Sequence, residues 1–119
     1  MRYALPVTGG SLAAHFGHCE EFAFFDVDDS SGNIVAVEFV PSPGHQPGFL
    51  PVWLAEQGAS AIIAGGMGPR AVELFESNRV EVILGAPEGD PEQVMISYLA
   101  GTMEAGENVC NHEQGDHSC

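Results

Sequence analysis

Ala61-Ile62-Ile63-Ala64-Gly65-Gly66-Met67-Gly68-Pro69-Arg70-Ala71-Val72 is the stretch that decides the fold. Its first four residues form an apolar run of strand length, and three glycines in four positions follow. Pro69 then stands where a helix takes its first residue, a place where the missing N–H would have gone unpaired in any case. Beyond it, Ala71, Val72, Leu74 and Phe75 recur at helical spacing. The reading is strand, glycine turn, helix N-terminus. Such a junction aims backbone N–H groups and the positive end of a helix at whatever lies over the sheet. Glycine lets the backbone approach a ligand closely, and Arg70 adds a planar, permanently charged fork. The pattern is neither a P-loop (it lacks Gly-Lys-Ser/Thr) nor the dinucleotide fingerprint Gly-x-Gly-x-x-Gly. By itself it is either a plain turn or an anion cradle.

Downstream, Val80 to Leu84 reads as a strand and Gly85 to Gly89 as a loop. Asp90-Pro91-Glu92-Gln93 is the clearest helix start: Asp90 caps, Pro91 takes the first position and Gln93 closes a capping box. That helix runs to about Ala100. Upstream, a helix from Phe49 to Gln57 carries Leu50, Trp53 and Leu54 on one face, and Gly58 ends it. Glu21 to Asp28 and Ile34 to Val40 are strands joined by a short polar turn, which makes them an antiparallel hairpin. Residues 2–8 form the first strand, Thr8 to Ser11 a turn, and Leu12 to Cys19 a loop over that strand's end. Three strands precede an alternation of helix and strand, so the sheet is mixed. Ligands of such sheets bind beyond the carboxyl ends of the parallel strands. The Thr8–Cys19 loop and the Gly65–Arg70 turn are therefore expected to face one another.

The chain has 119 residues, enough for one domain with a real core. It carries 17 acids against three arginines and no lysine, a net charge of −14. Such a field repels nucleic acid and acidic membranes and favours basic partners. No apolar run approaches a membrane span. An odd count of three cysteines, with an N-terminus unlike a signal peptide, points to reduced thiols in the cytoplasm.

Thiols then become interesting as ligands. His15-Phe16-Gly17-His18-Cys19 places two imidazoles and a thiol within five residues, a set suited to a soft or borderline metal. Cys19 could equally be a core cysteine with His15 as a polar cap. His45 stands in the Pro/Gly loop 41–48. The end of the chain offers Cys110, His112, His117 and Cys119 within ten residues. Their spacing is tighter than that of zinc fingers or ribbons. Residues 105–119 read as a flexible Cys/His-containing tail behind a cofactor-binding domain, residues 1–104. Asp26, Asp28 and Asp29 cluster at a strand end, as hairpin turns ordinarily do. No Ser/His/Asp or Gly-x-Ser-x-Gly arrangement argues for catalysis.

Together, His15-Phe16-Gly17 followed by Cys19, the Phe22–Asp28 strand, the His45 loop, Gln57-Gly58-Ala59, and Ile62 through Ala71 resemble the dinitrogenase iron–molybdenum cofactor biosynthesis family. That family includes NifX, the C-terminal region of NifB and small stand-alone proteins. The resemblance spans residues 1–104. It implies a ribonuclease H-like motif, a three-layer α/β/α fold with a mixed five-stranded sheet, without nuclease chemistry. It also implies binding of a metal–sulfur cluster. The size is similar to that of the orange protein of sulfate reducers, which holds a molybdenum–copper sulfide cluster non-covalently. The expected function is a non-enzymatic carrier that exchanges an iron–molybdenum or molybdenum–copper cluster with a donor or acceptor protein. The expected ligand-binding residues are His15, Phe16, Gly17, His18, Cys19, His45, Gly65, Gly66, Met67, Gly68 and Arg70. The competing expectation is an acidic interaction module that docks on a basic partner and holds no cluster. The oligomeric state stays open.

Overall fold

The computed structural model describes residues 1–13, 19–43 and 49–101. In chain order the elements are β1 (Arg2–Thr8), β2 (Ser11–Leu12), β3 (Glu21–Val27), β4 (Ile34–Pro41), α1 (Phe49–Glu56), β5 (Ala61–Ile63), α2 (Pro69–Ser77), β6 (Glu81–Ile83) and α3 (Pro91–Leu99). The sheet runs β4-β3-β1-β5-β6, with β2 paired to β1. β1, β3 and β4 pair antiparallel, while β5 and β6 join β1 in parallel. The sheet is mixed, as expected, but the described residues form six strands rather than five. The extra one is β2, inside a segment read from sequence as loop. Gly9 (φ 60°) and Gly10 (φ 82°) both take positive φ, which is what a two-residue hairpin turn demands. Thr8 thereby pairs with Ser11. A two-residue strand leaves no period to read.

Alternation along the strands builds two cores. Ala4, Phe22, Phe24 and Ile62 face one side and pack with Leu50 and Leu54 of α1 and Phe75 of α2. Tyr3, Leu5, Val7, Ala23, Phe25, Ala61 and Ile63 face the other and pack with Val94 and Met95 of α3. The result is three layers, two helices on one face and one on the other. Pro6 has no N–H to give the ladder. It falls between Ala4, the last β1 residue paired with β5, and Val7, the first paired with β2.

Helix ends follow chemistry legible in the sequence, with two differences. Gly58 (φ 86°) closes α1 in a Schellman motif: its N–H donates to the Ala55 carbonyl at 3.0 Å, and the Ala59 N–H to Leu54 at 3.1 Å. Asp90 does cap α3, but its carboxylate accepts from the Glu92 N–H at 3.2 Å, and no described bond from Gln93 returns to it. The capping box is therefore half made. α2 ends in the same Schellman geometry as α1, with the Arg79 N–H on Glu76 and the Val80 N–H on Phe75. Here the left-handed position is held by Arg79 at φ 64°. An L side chain there costs about 1 kcal/mol. Arg79→Gly is expected to stabilise the protein by about 0.5–1 kcal/mol, read as a higher urea midpoint at unchanged slope.

Candidate functional site

The parallel strands β1 and β5 run in register, Tyr3 beside Ala61 and Ala4 beside Ile62, so they end at the same edge of the sheet. β6 ends there too. Because β3 is antiparallel to β1 it begins at that edge, with Glu21 opposite Val7, and β4 finishes beside it, with Pro41 opposite Glu21. Four connections therefore emerge together: those after β1, β4, β5 and β6.

Backbone hydrogen bonds knit the roots of these connections. The Ala13 N–H donates to Pro6 at 2.8 Å and the Glu20 N–H to Val7 at 2.9 Å. The Ser42 N–H reaches the Glu20 carbonyl at 2.9 Å, and the Leu12 N–H reaches Gly89 at 2.7 Å. Ala64 and Gly65 prolong the β5–β6 ladder, with the Ala86 N–H on Ala64 at 3.2 Å and the Gly85 N–H on Gly65 at 3.1 Å. The Glu20 carboxylate accepts from the Gly9 N–H at 3.0 Å and pins the β1–β2 turn. Sequence reading missed Glu20, since a single acid among seventeen carries no signal.

In the glycine turn itself, Gly65, Gly66 and Met67 are buried, while Pro69 and Arg70 are exposed. Met67 packs in the core under α1 and α2. Gly68 is the N-cap of α2, with φ −69° and ψ 155° and no side chain to cap with. That backbone is open to any residue, so what glycine contributes here is the missing side chain, not an unusual angle. The first internal bond of α2 is from the Val72 N–H to the Gly68 carbonyl, 3.1 Å, and the N–H groups of Arg70 and Ala71 precede it. Arg70 makes no ion pair with a described residue. Arg2, by contrast, is committed at the opposite edge: it donates to Glu38 at 2.8 Å, lies 3.9 Å from Asp26 and stacks 4.5 Å over Phe24.

Cys19 is almost fully buried, at 3% exposure. Burial pushes its thiol from 9.0 up to about 11, against a smaller opposing effect from hydrogen bonds of its own backbone, the Ser42 side chain and the backbone of Val7. As placed, Cys19 is a core thiol rooted at the edge of the site, and ligating a metal there requires it to lose a proton that burial retains. The raised value predicts the pH response. The folded state holds the Cys19 proton more tightly than the unfolded chain, so this contribution to stability is complete below pH 9 and is lost as pH rises toward 11. Tyr3, also raised by burial first, acts in the same sense. Stability is expected to fall by roughly 2 kcal/mol over that interval through Cys19, and Cys19→Ala should flatten the slope in urea melts taken at successive pH values.

Among the described residues no three His, Cys, Asp or Glu side chains converge on a possible metal position. His15, Phe16, Gly17, His18 and His45 lie outside the described residues, as do Cys110, His112, His117 and Cys119 and the proposed tail 105–119. Their described flanks, Ala13 and Cys19 on one side and Ser42 on the other, are hydrogen-bonded or packed at the glycine-turn edge. The aspartate cluster is at the other edge. Asp28 is occupied by its own turn: hydrogen bonds from the Ser31 side chain, then from Ser30 Oγ at 2.9 Å and the Ser31 N–H at 3.0 Å, hold its carboxyl below its ordinary value. Asp29 pairs with the N-terminal ammonium at 3.1 Å.

Comparison with known proteins adds a family. The family model described as dinitrogenase iron-molybdenum cofactor matches residues 1–101. An uncharacterized protein of Methanocaldococcus jannaschii is 29% identical over 109 residues, which cover 87% of this chain and 90% of that one. The crystal structure of the protein PH0822 superposes with a TM-score of 0.84 at 27% identity, covering 94% of this chain and 100% of that one. The apo form of the orange protein from Desulfovibrio gigas superposes with a TM-score of 0.66 over 90% of this chain and 93% of its own. At 22% identity that last likeness is one of fold.

Proposed function

Because the chain belongs to the dinitrogenase iron–molybdenum cofactor family, we propose that it is a small non-catalytic carrier of a metal–sulfur cluster. The cargo is an iron–molybdenum cofactor-like or molybdenum–copper sulfide cluster, received from or passed to a donor or acceptor protein in the cytoplasm. The observation that carries the reading is the common edge: the uncapped start of α2 and the exposed Arg70 emerge at the same strand-end edge of the sheet as the roots of the 14–18 and 44–48 connections. Sulfide-rich clusters are anionic and soft. Backbone N–H groups and a guanidinium suit their charge, and imidazole or thiolate suits their metals.

Each candidate residue has a role in this proposal. Gly65, Gly66 and Gly68 keep side chains out of the approach, Met67 anchors the turn from below, and Arg70 supplies charge in a chain that is otherwise acidic. His15, His18 and His45, with Phe16 and Gly17 between, supply the soft contacts. Cys19 serves as a positioning residue at the root of that connection unless cargo binding draws out its proton. The tail thiols and imidazoles, Cys110, His112, His117 and Cys119, act as a detachable accessory to the 1–104 domain. The strand order β4-β3-β1-β5-β6, antiparallel and then parallel, supports a ribonuclease H-like motif as the finer description of the fold.

The test is anaerobic loading. Protein offered tetrathiomolybdate with copper(I), or tetrathiomolybdate with iron(II), is expected to retain molybdenum and a visible absorption band through desalting. Protein that emerges colourless and metal-free from both mixtures refutes the carrier reading. Truncation after residue 104 then reports on the tail, with unchanged loading expected if the common edge is the site.

A further inference from the structure

β4 is the outermost strand on its side of the sheet, and no described strand pairs with its outer edge. Its side chains are unusually apolar for that position. Val35, Val37 and Phe39 are 67%, 45% and 49% exposed, and they are three of the seven exposed large hydrophobics among the described residues. Val37 lies opposite Phe25, and Phe39 opposite Ala23. Both partners belong to the core beneath α3, so Val37 and Phe39 continue that apolar face beyond the reach of the helix. Val35 is the extra residue of a bulge where the register shifts between Asp26 and Val27. Glu38 points to the other face, held by Arg2 at 2.8 Å, so the Val37–Phe39 face carries no charge of its own. An edge of this kind is a template for strand addition, and protective devices confine it: the bulge at one end and Pro41 at the other.

Charge selects the occupant. Acids bracket the strand, with Asp28 and Asp29 on the turn before it and Glu20 and Glu21 beside its end. A second copy would pair antiparallel about Val37, which brings the Asp28–Asp29 end of one chain to the Glu20–Glu21 end of the other. Like charges then meet across the seam, between two chains of net charge −14. An extended segment with basic flanks meets the opposite sign at both ends. We propose that the outer edge of β4 is a docking strand for an extended segment of a partner protein. That segment has alternating apolar residues and lysine or arginine at both ends, and it joins the sheet by strand addition. The proposal rests on β4 and the acids at its two ends, and stands whether or not the connections beyond the strand ends hold a cluster.

The test uses the full chain, labelled with nitrogen-15, and a synthetic peptide, Lys-Lys-Val-Thr-Val-Thr-Phe-Lys-Lys. A peptide of the same length and charge, with its lysines moved to the centre and proline in place of one threonine, is the control. The first peptide is expected to shift the amide signals of residues 34–41 and to bind at least tenfold more tightly than the control. Binding should weaken at least tenfold with Val37→Thr/Phe39→Thr. Those positions are exposed, so unfolding midpoints should stay close to wild type, and Val37→Ile/Phe39→Tyr should retain binding if the apolar face matters. Equal affinity for both peptides, shifts centred away from β4, or undiminished binding by the threonine variant would overturn the proposal. So would sedimentation showing a dimer that the threonine variant dissociates, since the edge would then belong to a second copy.

Discussion

Replacing Phe24 by alanine is expected to cost about 4 kcal/mol of folding stability. The ring is fully buried, sits 6.2 Å from the Trp53 ring, and carries the Arg2 guanidinium 4.5 Å above it. Alanine would empty that volume beneath α1 and leave Arg2 without its platform between Asp26 and Glu38. Against a usual stability of about 5–15 kcal/mol this is a large fraction. Urea unfolding followed by Trp53 fluorescence measures it, since Trp53 is the sole tryptophan and touches both Phe22 and Phe24. A loss below about 1 kcal/mol would mean that the core closes over the gap and that Phe24 is not tightly packed between α1 and the Arg2 guanidinium.

The second large effect concerns cargo. Arg70→Ala is expected to weaken cluster loading by about tenfold or more, the worth of a charge-assisted hydrogen bond to an anion. Folding stability should change by no more than about 0.5 kcal/mol, because Arg70 is exposed and has no described ion pair. Arg79→Gly is the charge-matched control. It removes the same single positive charge at the far end of α2, roughly 13 Å away at helical rise. If loading falls equally in both variants, the effect is one of net charge and the Arg70 cradle is refuted. Loading is measured as molybdenum retained per chain after anaerobic desalting. Arg70→Lys should recover only part of the loss, since an ammonium keeps the charge but not the planar fork.

Much of the fold was legible because it is written in short-range chemistry. Pro69 and Pro91 mark helix starts, Gly58 marks a helix end, and Phe22, Phe24 and Phe25 mark a strand buried on both faces. What escaped was set by partners rather than by pattern. β2 exists because Leu12 reaches Val7 across a two-glycine turn. The Asp90 carboxylate caps the Glu92 N–H, and no described bond joins the Gln93 side chain to the Asp90 N–H, because a reciprocal cap depends on side-chain placement as well as residue type. Arg79 in a left-handed position could not be guessed, because composition favours glycine there and only the Schellman closure onto Phe75 holds it.

The candidate site divides the same way. The glycine turn announced itself by residue type, and parallel pairing of β1 with β5 followed from the order of elements. Residue type left Cys19 with two readings, the thiol of a His-x-x-His-Cys ligand group or a core cysteine. The structure places it in the core, beside Glu20, whose N–H bonds the Val7 carbonyl.

By itself, then, the sequence determined the types of the described elements other than β2, the mixed sheet, the glycine start of α2 and the acidity of the surface. These depend on residues a few positions apart or on composition alone. Only the tertiary structure decided that four connections share one edge, that Cys19 turns inward, that Arg2 is spent on Asp26 and Glu38 while Arg70 is not, and that β4 leaves Val37 and Phe39 uncovered. Those facts depend on which strand lies next to which and on how far each helix reaches across the sheet, and neither is encoded in local spacing.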